Sequence, residues 1–202
     1  MAVPVIAVSR PRHRWRLGAW QERLHRDIAA VRDWADAGPA DLFLVGGLGL
    51  AVRSEGFRRN HADIDLALFT DELAPFTDYL HECGYQWARP VLGLALSPWH
   101  RIDLARPLAD PQPTRPLRVA RAVSPRVRRS RLRTDYMDIM LMHRDPSGVT
   151  MIGEDVRVPW SDFLPATPVS GARRLWLPNV SYKRHLPARW PRQRRDLSLA
   201  VG

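Results

Sequence analysis

Leu44-Val45-Gly46-Gly47, followed by Asp63-Ile64-Asp65-Leu66, is the stretch that decides how this chain is interpreted. The glycine pair closes one apolar run, and sixteen residues beyond Gly47 an Asp-x-Asp pattern stands inside a second apolar run. Successive side chains of a β-strand point to opposite faces, so we expect Asp63 and Asp65 to project from the same face. Two like charges in a buried strand require a compensating cation. Mg²⁺ takes hard oxygen ligands and usually arrives with substrate phosphates, so the pattern predicts phosphate chemistry.

A third acid with the same character lies further along the chain. Asp138 stands inside the apolar run Tyr-Met-Asp-Ile-Met-Leu-Met, which predicts a buried strand over residues 136–142. Three acids from separate strands that converge would form a site for two cations of the kind that catalyse phosphoryl and nucleotidyl transfer. Asp138 would either hold the second metal ion or accept a proton as general base. Asp103, in Arg-Ile-Asp-Leu, is the alternative third acid.

The residues around the first motif suit an anionic ligand. Backbone can approach a phosphate closely where no Cβ intervenes, which gives Gly46 and Gly47 a function beyond that of a turn. Arg58, Arg59 and His61 come directly before the acidic strand, where a cation could reach the terminal phosphates of a nucleotide. The alternative is that these three are ordinary surface charges.

Periodicity predicts three helices. Apolar residues at steps of three and four from Leu17 to Trp34 indicate an amphipathic helix that ends near Gly38. A short helix follows the glycine pair over residues 48–53. Thr70 offers an N-cap for a third helix that runs to Gly84.

Buried strands alternate with these helices. The expected strands cover residues 41–45, 62–69, 91–96, 101–105, 136–142 and 149–158, the last as a hairpin partner after the turn Asp145-Pro146-Ser147-Gly148. Residues 107–133 are rich in proline and arginine and read as an irregular basic insertion. The result is an α+β fold, a mixed sheet flanked by helices, with a core over residues 1–165 and a short C-terminal extension over residues 166–202 packed on it.

The motifs together resemble the signature of the DNA polymerase β-like nucleotidyltransferase superfamily. The resemblance rests on the glycine pair, the Arg59-x-His61-x-Asp63-x-Asp65 segment and the later acid Asp138. Within that superfamily the chain is most similar to the aminoglycoside and lincosamide nucleotidyltransferases. The resemblance extends over residues 41–80, 136–163 and, loosely, 177–197. In the last range, Tyr182-Lys183 resembles part of the closing segment of those enzymes.

The resemblance implies an enzyme and assigns its residues. Asp63, Asp65 and Asp138 would be the catalytic metal ligands, with two Mg²⁺ ions. Contacts to ATP or another nucleoside triphosphate would come from Gly46, Gly47, Arg59, His61 and Lys183. The implied reaction moves a nucleoside monophosphate, AMP from ATP, to a hydroxyl of a small molecule such as an antibiotic. The alternatives are the same chemistry on RNA, especially tRNA, or on a protein side chain, and a relative that binds without catalysis.

The charge of the chain bears on the acceptor. The formal net charge is +10, a field that attracts polyanions and repels polycations. Between residues 115 and 133 the chain carries arginines and no acid, which is either a solvated loop or a phosphate or RNA contact surface. These arginines are Arg115, Arg118, Arg121, Arg126, Arg128, Arg129, Arg131 and Arg133.

Composition excludes several other classes. One cysteine, Cys83, rules out an internal disulfide framework and suits a reducing cytosol, so we expect a soluble cytoplasmic protein in which Cys83 is a small core residue. No apolar run approaches the roughly 18–20 residues that span a bilayer. The histidines are scattered without zinc spacing, and no Walker-type loop or Gly-x-Ser-x-Gly motif is present.

Overall fold

A mixed β-sheet flanked by helices organises the part of the chain that the computed structural model describes, which is residues 17–53, 64–90, 99–101, 120–123, 136–152 and 156–186. This confirms the predicted α+β class. The helices are α1 (Leu17–Ala37), α2 (Gly46–Arg53), α3 (Leu73–Glu82) and α4 (Trp160–Phe163), with 3-10 turns at Thr70–Glu72 and Val180–His185. The strands are β1 (Leu42–Leu44), β2 (Ile64–Phe69), β3 (Gln86–Pro90), β4 (Trp99–Arg101), β5 (Ala120–Val123), β6 (Tyr136–Asp145), β7 (Gly148–Met151), β8 (Val156–Pro159), β9 (Thr167–Pro168) and β10 (Leu175–Leu177).

The strands follow the order β4-β3-β5-β6-β2-β1-β10-β9, and β7 pairs with both β6 and β8. Two neighbouring pairs are parallel, β2 with β6 and β1 with β10, and the other pairs are antiparallel. Strand β10, the last strand of the described chain, therefore lies inside the sheet, between β1 and the edge strand β9. The predicted boundary between residues 165 and 166 stays a prediction.

The two faces of the sheet bury separate apolar clusters, because side chains alternate along each strand. On one face, Ile64, Leu66 and Leu68 of β2 pack with residues of α1 and α3. On the other face, Ala67 and Phe69 pack with residues of β7, β8, α4 and the second 3-10 turn. We call the second face the site face, since it also carries the acids described below.

Helix α1 confirms the amphipathic pattern. Trp34 is fully buried, its indole N–H donates to the Cys83 sulfur at 3.3 Å, and the Tyr79 hydroxyl donates to its carbonyl oxygen at 2.8 Å. Cys83 is buried at the end of α3, as expected of a small core residue, and burial raises the pKa of its thiol. No helix in the described ranges is both long enough and apolar enough to cross a bilayer.

The predicted cap at Thr70 is wrong. The chain enters α3 through the 3-10 turn Thr70–Glu72, and neither this turn nor α3 has a side-chain cap. The Thr70 hydroxyl is instead 2.6 Å from Nδ1 of His143 on β6. The Thr70 side chain therefore links the start of α3 to the sheet and does not cap the helix.

The basic insertion is not wholly irregular. Strand β5 lies within residues 107–133 and pairs with β3 and β6. The expected strand over residues 91–96 lies outside the described residues, as does residue 102 onward of the expected strand 101–105. The observed antiparallel pair there is β3 with β4. The predicted hairpin after the turn at residues 145–148 is confirmed, although it continues as two strands, β7 and β8.

Candidate functional site

Asp65 and Asp138 are register partners on the parallel strands β2 and β6. Neighbouring strands lie about 4.8 Å apart, so the two carboxylates belong to one small region of the site face. Both residues are half-buried. The arrangement that the sequence predicted for these two acids is therefore present, because a parallel pairing brings two distant parts of the chain into the same row.

A glycine is required beside Asp65. Gly46 begins α2 with a φ of 67°, a conformation that L side chains rarely adopt. A Cβ at this position would overlap the Asp65 carboxylate and lie 2.6 Å from its Cγ. The Val45 N–H donates to the Asp65 carbonyl at 2.9 Å, which fixes the turn against β2. The glycine pair thus lets the α2 N-terminus meet the carboxylate directly.

The second 3-10 turn carries a buried tyrosine and a lysine. It is opened by Asn179, whose side-chain oxygen accepts from the Ser181 N–H at 3.1 Å. Tyr182 is buried, and its ring packs edge-on against Phe163 with centroids 6.2 Å apart. The Lys183 ammonium lies 5.1 Å from the Tyr182 ring centroid.

The Tyr182 hydroxyl joins these elements. Burial raises the pKa of the Tyr182 hydroxyl, and the charge of Asp65 raises it further. The charge of Lys183, a hydrogen bond from the Lys183 side chain and a backbone hydrogen bond from Gly46 oppose this shift. Tyr182 therefore lies near enough to Gly46, Asp65 and Lys183 to be influenced by each of them. Tyr182 was missed from the sequence, although its signal was its place beside Lys183.

Lys183 is the single lysine of the chain, in which the other 30 of the 31 lysine and arginine residues are arginine. A compact, strongly hydrated ammonium differs from the planar guanidinium fork, and this one ammonium lies against the ring of the buried Tyr182. The Arg53 guanidinium donates to the Pro178 carbonyl at 2.9 Å and so ties α2 to the chain that leads into Lys183.

Part of the predicted site cannot be placed. Asp63, Arg59 and His61 lie outside the described residues, as do Arg58 and Asp103 and most of the arginines between residues 115 and 133. Among the residues that are described, no three His, Cys, Asp or Glu side chains are grouped to hold a metal ion. The described donors are the Asp65 and Asp138 carboxylates, and two hard oxygen donors in one row fit Mg²⁺.

One of the basic-cluster arginines has a defined position. Arg121, on β5, is the antiparallel register partner of Asp138. The row across the sheet therefore reads Asp65, Asp138 and Arg121 on three adjacent strands. Local sequence does not predict this register for Arg121, because its strand is short and stands inside a proline-rich stretch.

Comparison with known proteins gives the chain no relatives. No protein-family model, no curated protein and no solved structure matches it significantly.

Proposed function

We propose that this chain is a Mg²⁺-dependent nucleotidyltransferase, which moves a nucleoside monophosphate from a triphosphate, AMP from ATP, to a hydroxyl of an acceptor. The observation that carries the proposal is the register pairing of Asp65 with Asp138, with the Gly46 turn packed against Asp65. The resemblance described above, to enzymes that modify aminoglycosides and lincosamides, favours a small molecule such as an antibiotic as acceptor.

The two carboxylates are placed to share a cation. Asp65 and Asp138 are register partners in one half-buried row, and together with Asp63 they would hold Mg²⁺ there. Bound Mg²⁺ supplies charge stabilisation at the attacked phosphoryl group and orients the triphosphate.

The protein groups around the acids suit a triphosphate. The N–H groups at the start of α2, which begins with Gly46 and Gly47, favour an anion. Because the Asp65 carboxylate lies against Gly46, the Gly47 N–H is the donor we assign to phosphate. Lys183 offers a positive charge to the same phosphates.

The transfer itself balances without further reactants. The acceptor hydroxyl oxygen forms a bond to the α-phosphorus, the bond from that phosphorus to the bridging oxygen breaks, and pyrophosphate leaves. The hydroxyl proton passes to a base, for which Asp138 is the candidate among the described residues. If Asp138 is a metal ligand only, the Asp138→Asn variant will lose metal affinity along with activity.

The test is incubation of the purified chain with each labelled nucleoside triphosphate, Mg²⁺ and pooled acceptors, followed by measurement of pyrophosphate and of the labelled fraction. Asp65→Asn and Asp138→Asn should each lower the rate by about 10²-fold or more. Asp33→Asn is the matched control, because Asp33 is an exposed acid on α1 that pairs with neighbouring Arg32. Full activity in Asp65→Asn, or no Mg²⁺-dependent binding of any triphosphate, would contradict the proposal.

A further inference from the structure

The second 3-10 turn is held against α4 on both sides of Lys183. Before the turn begins, the Asn179 N–H donates to the Phe163 carbonyl at 2.9 Å. At the last residue of the turn, Nε2 of His185 lies 2.7 Å from Oδ2 of Asp162. An ionised carboxylate only accepts hydrogen bonds, so the imidazole is the donor in this pair. Helix α4 therefore contacts the chain at one point before the lysine and at another after it.

The residues between these two points fix the backbone at Lys183. Tyr182 is buried, and its ring packs edge-on against Phe163 of α4. The Tyr182 hydroxyl is also close enough to Gly46 to share a hydrogen bond with its backbone. The Leu186 N–H donates to the Lys183 carbonyl at 3.2 Å, which closes the end of the turn. The lysine side chain therefore starts from a defined position beside the glycine turn.

Helix α4 is tied in turn to the strand that carries Asp138. The Trp160 indole N–H donates to the carbonyl oxygen of Asp145, the last residue of β6, at 2.9 Å. Asp138 lies on the same strand. The contact between His185 and Asp162 therefore connects the turn that carries the lysine to the strand that carries one of the two acids.

The pair formed by His185 and Asp162 is suited to fix a position and not to stabilise the whole fold. The two side chains are 30% and 34% exposed. Ion pairs that solvent reaches to this extent stabilise a fold only weakly. A displacement of about 1 Å in a binding group, by contrast, costs a site much of its activity. The effect of the pair is therefore expected at the neighbouring lysine.

We propose that His185 and Asp162 are positioning residues, which hold the second 3-10 turn so that the Lys183 ammonium meets the phosphates of the bound triphosphate; this inference rests on the proposed function. In this assignment neither residue contacts the reacting groups or exchanges a proton in the transfer. Both act through the lysine, so their loss matters only where the lysine is present. The expected result of that loss is weaker binding of the triphosphate by a chain that is still folded.

The experiment is a double-mutant cycle, measured by equilibrium dialysis with each labelled nucleoside triphosphate and Mg²⁺, which needs no acceptor. His185→Ala should raise the dissociation constant about three- to fivefold, less than the roughly tenfold change expected of Lys183→Ala, because the ammonium is displaced and not removed. In the Lys183→Ala background the same substitution should change the dissociation constant by less than about 1.5-fold. Equal fold-changes in the two backgrounds would show that His185 acts independently of the lysine and would overturn the inference.

Conservative variants and a matched control separate positioning from a general loss of packing. His185→Gln retains an N–H donor for Asp162 and should recover part of the affinity. Asp162→Ala removes the acceptor and should have the same effect as His185→Ala. His143→Ala is the control, since Nδ1 of His143 lies 2.6 Å from the Thr70 hydroxyl and links the other 3-10 turn to β6. It should change the dissociation constant by less than about 1.5-fold. An effect equal to that of His185→Ala would overturn the assignment.

The outcomes distinguish this inference from the proposed function. Absence of Mg²⁺-dependent binding of any triphosphate to the unaltered chain overturns the proposed function, and the inference with it. If the unaltered chain binds triphosphate and Lys183→Ala binds it equally well, the positioning inference fails while the reaction at the acid pair stands. Denaturant unfolding checks that each variant is folded. Should His185→Ala not fold, the cycle is run with Asp162→Asn, which keeps the shape and one acceptor oxygen but removes the charge. Additivity of Asp162→Asn with Lys183→Ala would again overturn the inference.

Discussion

Gly46 and Asp65 leave no room for a side chain between them, because a Cβ at position 46 would lie 2.6 Å from the Asp65 Cγ. The contact joins the start of α2 to the strand that carries the acid. Two separate costs explain why position 46 must be glycine: its φ is positive, and a Cβ would overlap Asp65.

Gly46→Ala tests both costs together. The substitution places a side chain at a φ of 67° and forces the Asp65 carboxylate to move, so the free energy of unfolding should fall by about 3 kcal/mol or more. Gly84→Ala is the matched control, since Gly84 has a φ of 79° with nothing within 4 Å of its Cβ position. It should cost only the conformational part, about 1–2 kcal/mol. Denaturant unfolding of both variants measures the difference, and equal losses would contradict the overlap with Asp65.

Tyr182→Phe removes one hydroxyl and keeps the ring against Phe163. Loss of the hydrogen bonds with Gly46 and Lys183 should lower the free energy of unfolding by about 1–2 kcal/mol. It should also weaken triphosphate binding, because the lysine loses its partner. Tyr79→Phe removes a buried hydroxyl bonded to the Trp34 carbonyl, remote from the site, and should lower stability without changing triphosphate affinity. Unchanged affinity in Tyr182→Phe would show that its hydroxyl has a structural role only.

Lys183→Ala should raise the dissociation constant for triphosphate about tenfold or more, since a charge-assisted contact with phosphate is lost. Lys183→Arg should restore only part of the affinity, because a guanidinium has a different shape from the ammonium that bonds Tyr182. The exposed neighbour Arg184 provides the control variant Arg184→Ala. Since Lys183 is the single lysine, acylation of its amine followed by peptide mapping gives a second measurement. Bound triphosphate should protect it, and equal labelling with and without triphosphate would contradict the assignment.

The Asp145 carboxylate makes the β6–β7 turn sensitive to acid. The hydrogen bond from Arg157 lowers the pKa of Asp145 from 3.8 to about 2, with further bonds from Ser147 and Thr150. A pKa that is depressed in the folded state stabilises the fold above the unfolded-state value, and this contribution is lost as the pH falls from about 4 towards 2.

Arg157→Ala should therefore return the Asp145 pKa towards its ordinary value and shrink the part of the stability that is lost between about pH 4 and pH 2. An NMR titration of the Asp145 carboxyl carbon measures the shift. Arg173→Ala, which removes an exposed arginine paired with Asp36, should leave the titration unchanged. A titration of Asp145 near 2 in Arg157→Ala would assign the shift to the turn hydrogen bonds instead.

The sequence predicts the helices and the inner strands because their apolar spacing is long and regular. Helix α1 and strand β6 are recognisable from periodicity alone, and the alternation of β2 is enough to place Asp65 on the site face. The parallel pairing of β2 with β6 in this register belongs to the tertiary structure. It depends on which strand edges pair, and a local sequence pattern does not contain that information.

The elements that the sequence missed are short. Strand β5 has four residues inside a stretch of prolines and arginines, and β10 has three residues between an arginine pair and a proline. Such strands form because neighbours supply their hydrogen bonds, so propensity carries little signal. For the same reason the position of Arg121 opposite Asp138 could not be predicted, and the contribution of Tyr182 depends on a contact made across the fold.

Strand β10 pairs in parallel with β1 across more than 130 residues of chain. During synthesis, β1 leaves the ribosome long before the segment that completes its second edge, so it must wait with unpaired amide and carbonyl groups. Closing so long a loop before any contact rewards it slows folding. The turn that carries Lys183 follows β10 directly, so the lysine takes its place in the fold only after β10 has been synthesised. The growing chain therefore cannot assemble the complete site before β10 and the turn after it have been synthesised.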